Sequence, residues 1–149
     1  MGLRAIRSAV SSSGRTIALR YLFLATAANL VWEVAQLPLY TIGEASSTEG
    51  LAYVVAHCTA GDVIILAAAL LLALVLAGDG AWPERGCRSV TVASTFIGVA
   101  YTIFSEWLNV HVLQNWAYAP AMPLVPPFGT GLSPLLQWLL IPPAALMVM

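Results

Sequence analysis

Residues 56–78, AHCTAGDVIILAAALLLALVLAG, decide the class of fold. After Asp62 this stretch carries no charged side chain, and it is as long as the roughly 20 apolar residues that a helix needs to cross a bilayer. On an insertion scale an Asp at the bilayer centre costs roughly 2.5 to 3.5 kcal/mol, whereas each Leu or Ile returns only about 0.3 to 0.6 kcal/mol. The stretch therefore predicts a membrane-spanning helix in which Asp62 serves a purpose other than insertion.

The overall composition also indicates a membrane protein. The chain has 149 residues, of which 60% are hydrophobic and 9% charged, and its mean hydropathy is +0.85. Ordinary soluble domains contain about 25% charged residues, so the composition excludes a water-soluble fold of this length. The expected partner is the lipid bilayer, with a membrane-protein partner or a second copy of the chain as alternatives, and no nucleic acid is expected.

The basic residues predict the orientation in the membrane. All six are Arg, and they lie before the first apolar segment or in the loop after Gly78. Loops rich in Arg stay on the cytoplasmic side, so the amino terminus and the loop around Arg85 and Arg88 are expected inside. The loop over residues 41–50 contains two Glu and no base, and it is expected outside.

These features predict an all-α fold, an integral membrane bundle of four transmembrane helices. Residues 1–20 are predicted to form a cytoplasmic basic arm, and residues 21–149 a four-span transmembrane domain. The spans are expected over residues 21–40, 51–76, 90–110 and from 132 to the end. Pro142 and Pro143 predict a kink or a break in the fourth span.

Polar residues recur at helical spacing within these spans. The residues that share a face are Asn29, Glu33, Gln36 and Tyr40 in the first span, Cys58, Thr59 and Asp62 in the second, and Thr95, Thr102, Glu106 and Asn109 in the third. In the fourth span Ser133 is expected to cap the helix, and Gln137 follows one turn later. With a rise of 1.5 Å per residue, the predicted span boundaries place these polar faces in the outer half of the bilayer. They therefore predict a polar cavity that opens to the outer face and is closed toward the cytoplasm.

Burial raises the affinity of a carboxylate for protons, so the buried acids are candidates for acid and base chemistry. The candidate catalytic residues are Glu33, His57, Asp62 and Glu106, with His57 as the partner base. The candidate ligand-binding residues are Gln36, Asn109, Trp116, Tyr118 and Gln137. The alternative is structural, with the acids hydrogen-bonded to the neighbouring amides only to fix the helix register.

The loop from His111 to Gly131 is rich in aromatic residues and proline and carries no Asp, Glu, Lys or Arg. Trp and Tyr prefer the membrane interface, and prolines stiffen a segment. The loop is expected either to anchor the protein in the interface or to form a lid over the bundle.

Several short motifs together resemble those of a known group of proteins. The motifs are Trp32-Glu33 with Gln36, Pro38 and Tyr40; His57-Cys58 with Gly61-Asp62; Ser105-Glu106-Trp107 with Asn109; and Gly131-Leu132-Ser133-Pro134 with Gln137-Trp138. In these the chain resembles small multi-pass bacterial integral membrane proteins with no assigned activity. The resemblance covers most of the chain after Tyr21 and implies a location in the bacterial inner membrane.

Three classes of function follow from the sequence. The first is a membrane-embedded enzyme or binding protein for a small apolar or lipid-like ligand. The second is an accessory subunit or transporter component of a membrane complex. A metal or haem site is a further alternative with little support, because the chain has no His-x-x-x-His or Cys-x-x-Cys spacing, so no metal ligands are assigned and the cofactor is left open.

Overall fold

The computed structural model describes residues 12–42, 47–78 and 81–148. This part of the chain is mostly helical and contains four α-helices, as predicted. The helices are α1 (Ser12–Gln36), α2 (Thr48–Ala77), α3 (Cys87–Glu106) and α4 (Leu132–Met147). A 3-10 turn (Leu37–Leu39) follows α1, a π-helical turn (Trp107–Val112) follows α3, and two short strands, β1 (Leu124–Val125) and β2 (Thr130–Gly131), precede α4.

Three of these helices are long and apolar enough to cross a membrane. The segments are Ser13–Leu39, Thr48–Ala77 and Cys87–Val112. With 16 residues, α4 is about 24 Å long at 1.5 Å per residue, which is less than the roughly 30 Å of hydrocarbon in a bilayer. It continues through Pro142 and Pro143 to Met147, so these prolines do not break the helix, and the kink stays a prediction.

The first helix differs from the predicted span at both ends. It begins at Ser12 rather than at Tyr21, because helix formation needs no apolar run and the preceding polar residues continue the same helix. Residues 12–20 of the predicted basic arm therefore belong to α1, and residues 1–11 lie outside the described residues. At the other end Pro38 lies in the 3-10 turn, and Tyr40 is extended, with φ −125° and ψ 144°.

The four helices form a ring in which each packs against two neighbours. Helix α1 contacts α2 and α4, and α3 contacts the same two helices from the other side. The apolar core lies at the end of the ring where α1 and α3 begin and α2 and α4 finish. Its buried residues are Tyr21, Ala25, Leu66, Leu70, Ala73, Leu74, Trp82, Val90, Trp138, Ile141, Ala145 and Leu146. The buried side chains of Asn29, Gln36, Asp62, Glu106 and Gln137 lie toward the other end, whereas Thr91 and Ser94 are buried at the same end as this core.

The outside of the ring is apolar as well. Phe23, Ile64 and Phe96, on three different helices, are exposed by 74%, 70% and 72%. In water such surfaces would favour association or aggregation, whereas in a bilayer they face lipid.

The segment between α3 and α4 folds back onto the end of α1. The Thr41 amide donates to the Ala117 carbonyl oxygen at 3.0 Å, and the Ala119 amide donates to the Leu39 carbonyl oxygen at 2.9 Å. These bonds flank an antiparallel bridge between Tyr40 and Tyr118. The loop is thereby fixed across the end of the bundle that lies opposite the apolar core.

Candidate functional site

A cavity of about 370 Å³ lies between the four helices beneath this loop. Its polar lining residues are Glu33, Gln36, Tyr40, His57, Cys58, Asp62, Tyr101, Thr102, Ser105, Glu106, Asn109, Asn115, Trp116 and Gln137. Its apolar lining residues include Leu37, Ile42, Val54, Ile65, Pro134 and Trp138. The cavity thus joins the polar faces predicted for all four spans.

Gln137 of α4 lies at the centre of the hydrogen bonds in the cavity wall. Its Nε2 donates to Asn29 Oδ1 at 3.1 Å, to Glu33 Oε1 at 3.1 Å and to Asp62 Oδ2 at 3.0 Å. These three acceptors come from α1 and α2, so one amide connects three helices. Gln137 is only 2% exposed, which makes each of these bonds costly to lose.

A second chain of hydrogen bonds links α1 to the start of α4. Gln36 Nε2 donates to Glu33 Oε1 at 3.0 Å and, more weakly, to Gln137 Oε1 at 3.4 Å. Ser133 Oγ donates to Gln36 Oε1 at 2.9 Å and accepts from Trp32 Nε1 at 3.1 Å. The prediction that Ser133 caps α4 is wrong, since the cap position is Gly131 and Ser133 instead joins the site.

Glu106 of α3 is held by two phenols. Tyr118 from the loop donates to Glu106 Oε2 at 2.5 Å, and Tyr40 donates to the same oxygen at 3.3 Å. The Gly131 amide donates to the Tyr118 oxygen at 2.9 Å, which fixes the phenol from the other side. Burial and the bond to Glu106 raise the pKa of Tyr118 above its ordinary value, so this phenol stays a donor. The aromatic loop therefore contributes directly to the surroundings of a carboxyl group.

Helix α3 brings Glu106 to the cavity through close packing. The Thr102 hydroxyl donates to the Gly98 carbonyl oxygen at 3.0 Å, so it is satisfied within its own helix. Gly98 packs directly against the ring of Trp138 from α4; a Cβ added there would lie 2.8 Å from Cζ3 and still closer to Cε3. A glycine at this position lets α3 and α4 approach closely enough to close the cavity.

The second helix contributes the rim and one side of the cavity. His57 is exposed at the rim and stacks on Tyr53, with ring centroids 5.9 Å apart and planes 21° apart. Asp62 lies more than a turn deeper and is 8% exposed. Gly61 lines the cavity, and a Cβ added there would meet no atom within 4 Å. The cavity therefore has free space beside Gly61.

The cavity wall is rich in acid and, within the described residues, contains no Arg. Arg20 precedes Glu33 by about 20 Å along α1, and Arg88 precedes Glu106 by about 27 Å along α3. In the described part of the chain no group of three or more His, Cys, Asp or Glu side chains is arranged to hold a metal ion.

Most of the predicted site residues lie around this one cavity. Glu33, His57, Asp62 and Glu106 line it, as do Gln36, Asn109, Trp116 and Gln137. Tyr118 does not line the cavity and instead holds Glu106. Sequence reasoning did not select Tyr40, Tyr101, Ser133 or Trp138 as site residues. Ser133 lies one turn before Gln137 and therefore on the same face of α4. This spacing alone was sufficient to predict Ser133 as a site residue.

No protein-family model, no curated protein and no solved structure matches this chain, so the resemblance to small bacterial membrane proteins stays a prediction.

Proposed function

We propose that the protein is a multi-pass membrane protein of the bacterial inner membrane. In this arrangement α1 to α4 form the transmembrane bundle, the amino terminus is cytoplasmic and the cavity opens at the outer face. Three helices of sufficient length and an apolar outer surface support insertion. The orientation is supported by Arg15, Arg20, Arg85 and Arg88, which all lie at the end of the bundle opposite the cavity.

Within that bundle, the proposed function is the binding of a small apolar or lipid-like ligand. The observation that carries this proposal is the cavity itself, since about 370 Å³ lies within the range of roughly 300 to 1,000 Å³ that is typical of ligand pockets. Its wall combines apolar and aromatic surface with a few convergent polar groups, as such pockets do.

The carboxyl groups are the chemical centre of the proposed site. Glu33, Asp62 and Glu106 reach the cavity from three different helices, whereas His57 stacks on Tyr53 at the rim. A ligand bound inside the cavity would therefore contact the three carboxyl groups rather than the His57 imidazole at the rim. If the protein is an enzyme, the acids rather than His57 would exchange protons with the substrate.

The free space beside Gly61 provides the test. Gly61→Phe places a ring in the cavity, whereas Ala60→Phe places the same ring on the exposed side of α2. We expect native mass spectrometry of the protein released from mild detergent to show a bound lipid-like molecule on the wild type and on Ala60→Phe. Gly61→Phe should lose this molecule without a lower melting temperature.

Retention of the molecule by Gly61→Phe would place the ligand outside the cavity and contradict the proposal. A wild-type protein that carries no small molecule but purifies with a stoichiometric membrane subunit would support the accessory function instead.

A further inference from the structure

We propose that the ligand enters the cavity from the bilayer, through a lateral opening between the outer halves of α2 and α3. The molecule that uses this route carries an apolar chain and is already dissolved in the membrane, while the loop between α3 and α4 covers the cavity on the side of the water. This inference rests on the proposed function and adds the source and the route of its ligand.

The other helix interfaces are closed beside the cavity. Gln137 of α4 donates to Glu33 of α1 and to Asp62 of α2, which joins α1 and α2 to α4. Gly98 of α3 packs against the Trp138 ring of α4 so closely that an added Cβ would overlap the ring. Within the described residues no side-chain hydrogen bond joins α2 to α3. The interface between α2 and α3 therefore lacks such a closure beside the cavity.

The cavity extends to the side of α2 that lies away from α1. Successive residues of a helix are about 100° apart round its axis, so the order of side chains round α2 follows from the sequence. Ala56 lies beside α1, and Leu66 and Asp62 follow it on the buried side. Ile65 and Gly61 come next; both line the cavity and both are partly exposed. Because α3 is the other neighbour of α2 in the ring, the cavity reaches the outside between these two helices.

The residues on either side of this opening are loosely surrounded. A Cβ added at Gly61 of α2 would meet no atom within 4 Å. Across from it, Tyr101 of α3 lines the cavity and is nevertheless 45% exposed. The Tyr101 ring lies 6.5 Å from the ring of Phe104, which is exposed on the outer surface and does not line the cavity. Tyr101 thus belongs to the cavity wall and to the outer surface, and it marks the edge of the opening.

The depth of the opening places it beside lipid. Gly61 lies about 20 Å from the first residue of α2 and about 24 Å from the last, so it is near the middle of a helix that is longer than the hydrocarbon layer. Ile64 on α2 and Phe96 on α3 are exposed by 70% and 72%. These apolar side chains face lipid in the proposed arrangement, so acyl chains rather than water surround the opening.

The loop covers the end of the cavity that faces water. Asn115 and Trp116 of this loop line the cavity, and the next residue, Ala117, accepts from the Thr41 amide at 3.0 Å. Tyr118 donates to Glu106 and thereby fixes the loop to α3 as well. A molecule that arrives from water would have to displace these contacts, whereas a molecule from the bilayer would not.

The thiol of Cys58 lines the cavity and can report the side from which a reagent arrives. Cys87→Ala leaves it as the only cysteine of the full-length chain, which is studied in lipid nanodiscs. One reagent, hexadecyl methanethiosulfonate, is dissolved in the lipid, and the other, trimethylammonioethyl methanethiosulfonate, in the water. Intact mass spectrometry records the adduct, and Cys58→Ala in the same background gives the blank. We expect the lipid reagent to modify Cys58 and the water reagent to leave it unmodified.

A disulfide that locks the loop separates the two routes. Thr41 and Ala117 are paired neighbours on antiparallel segments, whose Cα atoms lie about 5.5 Å apart, within the roughly 4.4 to 6.8 Å that a disulfide spans. Thr41→Cys with Ala117→Cys, oxidised and verified by peptide mapping, should be modified at Cys58 by the lipid reagent at an unchanged rate. Loss of that reaction would show that the loop has to open.

Two matched pairs of substitutions test the opening itself. Gly61→Phe fills it and should abolish modification of Cys58 by the lipid reagent, whereas Ala60→Phe, on the exposed side of α2, should not. Tyr101→Ala widens the opening and should speed the reaction. Phe104→Ala removes a ring of similar exposure outside the cavity and should leave the rate unchanged. The second pair keeps the test decisive if the larger ring at position 61 prevents folding.

The route and the proposed function can fail separately. If the water reagent modifies Cys58 and the loop disulfide abolishes this reaction, the ligand enters beneath the loop and the inference is refuted, while a molecule found on the wild type by native mass spectrometry still supports the proposed function. If Tyr101→Ala and Phe104→Ala have equal rates, the opening does not lie between α2 and α3. If neither reagent modifies Cys58, no route is open from either side and the inference is likewise refuted.

Discussion

Replacing Gln137 by Leu tests whether one amide holds the polar half of the bundle together. The side chain of Gln137 donates to oxygens on α1 and α2 and accepts from Gln36 Nε2, while only 2% of the residue is exposed. Leu has a similar volume but neither donates nor accepts. The substitution therefore removes hydrogen bonds and leaves the packing nearly unchanged.

The expected cost follows from these contacts. The two hydrogens of Gln137 Nε2 and the bond that its Oε1 accepts from Gln36 give at most three hydrogen bonds at once. At about 0.6 kcal/mol each, the average for polar pairs between membrane helices, they give about 1.8 kcal/mol as the lower figure. Glu33 keeps its bond from Gln36, so the acceptors left without their donor are Asn29 Oδ1 and Asp62 Oδ2. At about 1 to 3 kcal/mol for each orphaned group, the upper figure is about 6 kcal/mol.

The free energy of unfolding can be measured by steric trapping in bicelles. We expect Gln137→Leu to lose between about 2 and 6 kcal/mol. Leu140→Ala is a control on the same helix, because Leu140 is 52% exposed on the outer surface, and it should lose less than about 1 kcal/mol. A loss for Gln137→Leu no larger than for Leu140→Ala would refute the role of Gln137 as the connection between α1, α2 and α4.

Three other predictions concern packing, protonation and orientation. Gly98→Ala should destabilise the bundle by about 1 to 3 kcal/mol in the same assay, and shortening Trp138 to Leu in the double variant should recover part of the loss. Because the pKa of Tyr118 is raised, the stabilisation that this phenol gives should be complete below pH about 10 and should be lost as the pH rises through the raised pKa. Tyr118→Phe has no phenol to ionise, so its alkaline unfolding curve should lack this loss. Reporter fusions after Ser47 and after Pro120 should both be exported, and a cytoplasmic signal from either would contradict the orientation.

The hydropathy pattern was sufficient to predict the helices and the face that each turns inward. Asn29, Glu33 and Gln36 follow each other at helical spacing, as do Thr102, Glu106 and Asn109, and these faces meet at one cavity. Local periodicity contains this information because neighbours on a helix face are three or four residues apart.

Contacts that depend on the loop were not predictable in this way. Tyr40 was assigned to a helical face, but α1 ends at Gln36, and Tyr40 reaches Glu106 from an extended backbone. Tyr118 reaches the same carboxyl group only because the loop pairs with the end of α1. Such pairing joins residues that are distant in sequence, and no spacing along the chain indicates it.

The start of α1 and the length of α4 show a second limit of composition. The predicted first span began where charge ends, yet the helix continues through Arg15 and Arg20 to Ser12. Helix geometry and hydrophobicity are separate properties, and only the second marks where a bilayer begins. Conversely, α4 carries only Ser133 and Gln137 as polar residues but begins only at Leu132, after the strand pair, and is therefore shorter than the other three.

An experimental structure of the protein in native lipid would test the acid-lined cavity as a ligand site most directly. We predict density for a small molecule between Glu33, Asp62 and Glu106. A cavity filled by a helix of a neighbouring subunit, or closed by its own side chains, would contradict this assignment.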